Sequence, residues 1–553
     1  MRLGIAHAIV RSVRDTPEID RLTRARWAAG EQGGSSLARS LVLALGAGGL
    51  HALSMPPGAF GWAVPGVVGL SFCSLRRVRN GGHAFGLGVI YGLSVHLGVF
   101  HWLFEIPETP AAILAVGYLA LSVMGAIFPG LLFFVFARVG GRLPVGWGAA
   151  LFAVLWVGME QLRGFGLLGF PWLDLSTSLA VHPLLIQVAA WGGAAAVDLM
   201  AAGVGVALAL AIDPRGCSGR RLRFDAAGVA MLILGAWVAV GWLRLPSIGA
   251  EPETGGSDSL RVAVVQGNID PTEKWLSGHA RLSLETFAEE TRTEMEAAEG
   301  AIDLFVWPET SLPCLVEGES AVYCRSWVEE LARETGAWLL VGALAPGPQV
   351  GGRKSYYNSA YLVDPAGEWL DRYDKVHLVP FGEMIPLDDQ IEVLRRVDFG
   401  EGDFVAGEAV RPIGDPPRRL GVLICFESLF GGQARSLARA GARLLVVMTN
   451  DAWFGRSAAP EQHAAIAALR AVETGLPVAR CANTGISGFV DPWGRYSVRI
   501  ELDERGTRVA TLPAVESDTL YSRWGEIVGF PSGLLFVALA LGELLGRRRK
   551  GSN

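Results

Sequence analysis

Charge is scarce in this chain of 553 residues: Asp, Glu, Lys and Arg make 18% of it, against about a quarter in an ordinary globular protein. Apolar residues make 51%, so much of the chain belongs in lipid or in deep cores. Cysteine is sparse too. Six residues are scattered over the whole length, which excludes a scaffold built on disulfides. No Cys-x-x-Cys pair and no His-Glu-x-x-His occurs, so no structural zinc, metalloprotease centre or other cofactor is expected. A net formal charge of −6 gives no reason to expect nucleic acid as a partner. The length exceeds one ordinary core, so at least two units are expected.

What the chain has in abundance is apolar blocks. Residues 1–36 are polar and carry Arg11, Arg14, Arg21, Arg24 and Arg26. The arginines spread too far before any apolar core for a cleaved signal peptide, so this stretch reads as a cytoplasmic tail. Residues 37–246 then read as a transmembrane helical bundle. A bilayer core needs roughly 20 apolar residues per helix. Candidate spans lie near 37–54, 59–75, 84–104, 111–137, 145–162, 182–212 and 226–244, with an eighth at 527–545. Runs such as Gly46 to Gly49 and Gly192 to Ala196 let helix backbones approach closely in lipid.

Short loops set the orientation. Arg76, Arg77 and Arg79, then Arg138 and Arg142, then Arg215, Arg220, Arg221 and Arg223, and finally Arg547 to Lys550 in the tail 546–553 form four basic clusters. With eight spans all four fall on one side, which the positive-inside rule makes the cytoplasm. Residues 247–526 then face outward. Two outward loops are richer than connectors: one holds His101, Trp102 and Glu105, and the other runs from Glu160 to Leu173. Arg163 and Trp172 there are placed to touch lipid headgroups, or to act as ordinary interfacial anchors.

After a polar linker, Ser247 to Ser259, the composition becomes that of an α/β domain. Strand-like runs fall at 260–266, 302–307, 338–344, 356–363, 419–425, 443–449 and 477–481, followed by a strand and turn at 486–500. Helix-like stretches lie near 278–299, 319–335, 429–440 and 458–474. More strands than helices, some paired as hairpins, point to a layered sandwich.

Three strand ends carry complementary chemistry. The apolar run Leu420 to Ile424 ends on Cys425, with Phe426 and Glu427 opening the next turn. A cysteine there can present its sulfur above a sheet edge, with the following backbone N–H free for an oxyanion; a small buried hydrophobe is the plainer alternative. Trp307-Pro308-Glu309 ends another strand on a carboxylate, and Asp374 to Glu383 supplies Lys375 in an apolar turn. A thiol is mostly protonated at neutral pH. A carboxylate can take its proton, and an ammonium can hold thiolate and oxyanion. Taken singly, Glu309 could be a helix cap and Lys375 a surface charge.

Glu309, Lys375 and Cys425, in that order, resemble the Glu-Lys-Cys triad of the nitrilase superfamily, whose fold is an αββα sandwich. Many spans before the domain and one after it resemble one branch, the bacterial apolipoprotein N-acyltransferases. The likeness extends to Val265 to Ile269, Lys274-Trp275, Val379 to Glu383, Asn450 to Gly455, Asn483-Thr484-Gly485 and Gly169 to Trp172. Phe426 departs from the Tyr often found after the nucleophile. The resemblance implies acyl transfer in two steps. Cys425 attacks the sn-1 ester of a phospholipid such as phosphatidylethanolamine, and the thioester is discharged by the α-amino group of a diacylglyceryl lipoprotein cysteine. It implies Glu309 as base, and Lys375 with the Phe426 N–H on the oxyanion. Glu383 and Glu427 are implied as supports, and Trp275, Trp453 and Phe454 as lining the acyl or lid region. It also implies a monomer in the cytoplasmic (inner) membrane, with the catalytic domain periplasmic. A lipid-anchored pair of substrates requires such a membrane face, since each buried CH₂ contributes about 0.8 kcal/mol.

Two other readings remain open from the residues alone. One is a membrane-tethered carbon-nitrogen hydrolase with water as acceptor. The other is a transporter, for which Glu160, Arg163 and Asp198 would be the intramembrane charges. Cys314 and Cys324, in the outward domain, are candidates to pair, and Cys481 reads as core.

Overall fold

The apolar blocks become helices. The computed structural model describes residues 34–58, 60–76, 78–107, 109–212, 220–246, 259–270, 279–318, 321–349, 354–386 and 403–550. Most of the N-terminal tail, the linker up to 258, Lys274 and Trp275 lie outside them. Among the described residues, six helices are long and apolar enough to cross a membrane: Leu37–Ser54, Gly81–Glu105, Ala111–Arg142, Val145–Arg163, Ala194–Ile212 and Leu222–Arg244. The segments expected near 59–75 and 527–545 form shorter apolar helices, Gly61–Leu75 and Gly529–Leu545.

Glycine sets the closest helix contacts. A Cβ on Gly88 would lie 2.2 Å from the Pro129 carbonyl oxygen, and one on Gly92 would lie 2.5 Å from the Ala126 Cα. Gly88 and Gly92 share one helical face, so the backbones of Gly81–Val99 and Ala111–Val139 touch along it. The span expected at 182–212 is not one helix. It breaks into Pro183–Ile186, Ala189–Gly192 and Ala194–Ile212. Gly193 stands at the last break with φ of 72°, a left-handed value that glycine adopts without a Cβ penalty.

The second half is a sandwich of two sheets. The strands are β1 (Ser259–Gln266), β2 (Leu304–Val306), β3 (Leu312–Leu315), β4 (Trp338–Pro346), β5 (Ser355–Val363), β6 (Trp369–Asp374), β7 (Asp403–Phe404), β8 (Leu420–Ile424), β9 (Leu444–Thr449), β10 (Val478–Ala482), β11 (Ser487–Val490), β12 (Tyr496–Ile500) and β13 (Gly506–Pro513). One sheet runs β13-β1-β2-β4-β5-β6, with β3 on β4 and β7 on β5; the other runs β12-β11-β10-β9-β8. Val262, Val264, Leu304 and Leu340 of the first meet Val422, Ile424, Val446 and Met448 of the second in a dry core. Helices His279–Ala297 and Val322–Thr335 cover the outer face of the first sheet, through Leu284, Phe287, Val328 and Leu331. Helices Gly431–Arg439 and Ala459–Thr474 cover the second. The layers are therefore α, β, β, α.

The helix Ala459–Thr474 is buried along nearly its whole length, because its far face lies on the membrane bundle. Gln462 accepts from the Trp172 indole at 2.7 Å and donates to the Pro56 carbonyl at 3.1 Å. Glu473 accepts the Ala194 N–H at 2.9 Å, at the first turn of a membrane helix where backbone donors lack partners. At the opposite end of the bundle Arg138 and Arg142 pair with Glu543 at 3.1 and 2.7 Å.

Candidate active site

Glu309, Lys375 and Cys425 each sit just beyond a strand, and strained backbone occurs at Cys425 itself, beside Glu309 and two residues before Glu383. Thr310, Phe381 and Cys425 have φ of 47°, 63° and 52°. A residue with a Cβ held there costs on the order of 1–3 kcal/mol. The strain follows from geometry: β8 must stop and turn at Cys425 for its side chain to leave the sheet. The turn 308–310 reaches inward because Gly342 on β4 leaves room for it. A Cβ there would lie 2.3 Å from the Pro308 oxygen and 2.9 Å from the Glu309 Cα.

Lys375 follows β6 and is almost fully buried. Its Nζ donates to Glu383 Oε1 at 2.8 Å and to Glu309 Oε1 at 3.4 Å. Burial alone would lower its pKa, but the carboxylates of Glu383 and Glu309 win and raise it, which favours the ammonium. Asn358 on β5 donates to both carboxylates, at 2.7 Å to Glu309 and 3.1 Å to Glu383. The Asn450 N–H fixes the other Glu309 oxygen at 2.9 Å, and the Val379 N–H fixes Glu383 at 2.8 Å.

Cys425 keeps part of its surface accessible. Burial, and then the Glu309 carboxylate, push its thiol pKa up, with Lys375 opposing. The thiol thus lies in the field of a carboxylate and an ammonium. Glu427 ties the thiol's turn to the lysine's turn. Its Oε2 accepts the Ile424 N–H at 2.8 Å, and its Oε1 accepts the Val376 N–H at 2.8 Å, the His377 N–H at 3.1 Å and the Tyr373 hydroxyl at 2.8 Å.

The aromatic candidates Trp172 and Phe454 pack together where the membrane loop meets the α/β domain. Trp172 is buried, its ring 5.6 Å from that of Phe454 and 5.9 Å from that of Trp102. Arg163 is buried in an ion pair with Asp174 at 2.6 Å. Neither reaches out to headgroups: a hydrogen bond to Gln462 and a carboxylate in the same loop hold them inward. Phe454 is likewise a packed side chain, and Trp453 packs half-buried on the same apolar core. Phe426 stacks on Phe170 of the membrane loop at 5.7 Å. Phe170 also lines a cavity of about 230 Å³ with Phe100, Leu121, Met124, Phe128 and Arg163. An apolar cavity in the bundle thus adjoins the residue after Cys425.

Asn358, Gly342, His463 and Arg480 escaped sequence reading. The available signal was polarity in apolar surroundings. Asn358 sits inside a buried strand, and His463 on a buried, alanine-rich helix. Cys314 and Cys324 are disulfide-bonded. Cys481 is buried, its thiol donating to the Val306 and Val265 carbonyls at 3.1 and 3.3 Å.

Residues 47–207 match the family described as apolipoprotein N-acyltransferase N-terminal domain, and residues 261–519 match the carbon-nitrogen hydrolase family. An apolipoprotein N-acyltransferase of Geobacter metallireducens is 33% identical over 506 residues, 88% of this chain and 92% of that one. Its counterpart in Gloeobacter violaceus is 32% identical over 93% of this chain and 96% of that one. Among solved structures, an amidase of the nitrilase superfamily from Nesterenkonia AN1 is 24% identical, covers 50% of this chain and 96% of its own, and has a TM-score of 0.37. On the match of both halves to one set of relatives, the protein belongs to the apolipoprotein N-acyltransferase family.

Proposed function

We propose that the protein transfers an acyl chain from a membrane phospholipid, through a thioester on Cys425, to the α-amino group of a diacylglyceryl cysteine on a lipoprotein. The observation that carries this reading is the seat of the cysteine. Its neighbour Phe426 stacks on a membrane loop beside an apolar cavity, a location suited to substrates that stay in lipid.

In the first step the Cys425 sulfur attacks the ester carbonyl, at the sn-1 position by family resemblance. Glu309 takes the thiol proton and returns it to the departing glycerol oxygen, so the thioester and a lysophospholipid form together. Lys375 and the Phe426 N–H hold the oxyanion. In the second step the lipoprotein amine attacks the thioester, Glu309 takes its proton, and the sulfur leaves as thiol. Glu383 holds Lys375, and Glu427 keeps the two turns in register. The catalytic domain lies on the extracytoplasmic side of the inner membrane, a placement supported by the basic residues Arg138 and Arg142 at the far end of the bundle. The enzyme acts as a monomer.

The test is intact mass after incubation with phosphatidylethanolamine and no acceptor. The expected result is an acyl-sized, hydroxylamine-labile increment that is absent from Cys425→Ala, and that a diacylglyceryl-cysteine peptide discharges to an amide. Folded protein that forms no adduct with any phospholipid would overturn the reading. Discharge to free fatty acid, with no amide formed, would favour a hydrolase.

A further inference from the structure

The strained turn at Cys425 has a second clamp, outside the Glu-Lys-Cys cluster. The Cys425 carbonyl oxygen accepts from the Ser428 hydroxyl at 2.8 Å and faces His463 Nε2 at 3.2 Å. Ser428 Oγ also lies 2.9 Å from Nε2. With the serine hydrogen on the Cys425 oxygen, a hydrogen on Nε2 faces two acceptors, the Cys425 carbonyl and the Ser428 oxygen. Nδ1 of the same ring meets Asp451 Oδ1 at 2.8 Å.

Asp451 is itself held. Arg480 binds its Oδ2 at 2.6 Å, and the Thr449 hydroxyl donates to its Oδ1 at 2.9 Å. Burial would raise the Asp451 pKa, but Arg480 and His463 hold it below the ordinary range. Trp172 packs over the imidazole with ring centres 5.8 Å apart. His463 and Arg480 are fully buried, so the ring's place is over-determined from several elements.

The consequence lies in the peptide plane. In a trans peptide the C=O and the following N–H point in opposite directions. Whatever fixes the direction of the Cys425 carbonyl therefore fixes the direction of the Phe426 N–H. Phe426 stands in the first turn of the segment Cys425–Leu429, where an N–H has no preceding intrahelical acceptor. We propose that His463, oriented by Asp451, is a positioning residue that grips the Cys425 carbonyl and thereby aims the Phe426 N–H at the oxyanion. The inference rests on the reading of Cys425 as nucleophile and of the Phe426 N–H as oxyanion donor.

The test compares His463→Gln with His463→Asn. The glutamine amide reaches the Nε2 position and can still donate to the Cys425 oxygen; the asparagine amide reaches only the Nδ1 position and keeps Asp451. Two rates are measured in the full-length protein. One is acylation by phosphatidylethanolamine, across its concentration range. The other is alkylation of Cys425 by iodoacetamide, a reaction with no oxyanion. Wild type and His463→Gln should acylate within about fivefold of each other. His463→Asn should lose at least thirtyfold in maximal rate with the half-saturating phospholipid unchanged. Alkylation should stay within threefold in both variants. Equal acylation by the two variants would overturn the inference, as would acylation and alkylation falling together. A wild type that alkylates but never acylates would instead sink the reading of Cys425 itself.

Discussion

Replacing Lys375 by methionine is the most informative single perturbation of the cluster. Methionine keeps most of the stem volume and removes the charge. Lys375 is 1% exposed and bridges Glu383 at 2.8 Å and Glu309 at 3.4 Å. Removing one partner of a buried ion pair costs about 3–5 kcal/mol, because the remaining charge stays in low dielectric. For a unit of 150–250 residues each kcal/mol moves Tm by roughly 2–4 °C, so the apparent Tm should fall by about 10 °C.

The pH dependence gives the sign. The folded pKa of Lys375 is raised, so its contribution is complete below the unfolded value of about 10.4 and is lost only as pH climbs through the folded one. Wild type therefore keeps this contribution unchanged from pH 5 to 8.5. In Lys375→Met, Glu309 and Glu383 converge on Asn358 without a cation and repel each other. Acidification lets one of them take up a proton and relieves the strain. The Tm deficit should be largest at pH 8.5 and smallest at pH 5. Intrinsic tryptophan fluorescence during heating of detergent-solubilised protein reads it. Acylation should fall by at least 10²–10³, the cost of one oxyanion donor. A deficit that is flat with pH, or none at all, would refute the account of Lys375 as the cation that allows two buried carboxylates to coexist.

Two further outcomes follow from the same geometry. Because burial and Glu309 raise the Cys425 thiol, alkylation by iodoacetamide should climb about tenfold per unit between pH 7 and 9, as a thiol below its pKa does; a plateau already at pH 7 would mean a resting thiolate. Gly342→Ala drives a Cβ against the backbone of 308–310. Overpacking of this kind costs about 1–3 kcal/mol, and the displaced Glu309 should slow acylation about 10²-fold; an unchanged rate would show that the turn yields freely.

The strands most legible in the sequence are those buried on both faces, such as β8, β9 and β10, where an apolar run is unbroken. β6 and β13 escaped it. Both lie at the edges of their sheet and are half exposed, so charged and polar residues interrupt any pattern. β13 also pairs with β1 from the far end of the domain, Ser259 against Pro513, a partnership that no local window contains. The membrane stretch was misread at Gly193 for a related reason: hydropathy sees apolar residues on both sides, whereas the break is a backbone angle.

By itself, then, the sequence determined what local chemistry can determine. It set the apolar lengths that suit lipid, the strand ends that carry Glu309 and Cys425, the turn motif that holds Lys375, and the basic loops. Only the tertiary structure decided that Asn358 joins two carboxylates around one ammonium, that Glu427 links two turns some fifty residues apart, and that Trp172 packs inward onto Gln462. Those arrangements are contacts between distant segments. Their partners are selected by packing and hydrogen-bond satisfaction over the whole fold, and no stretch of sequence holds both sides of them.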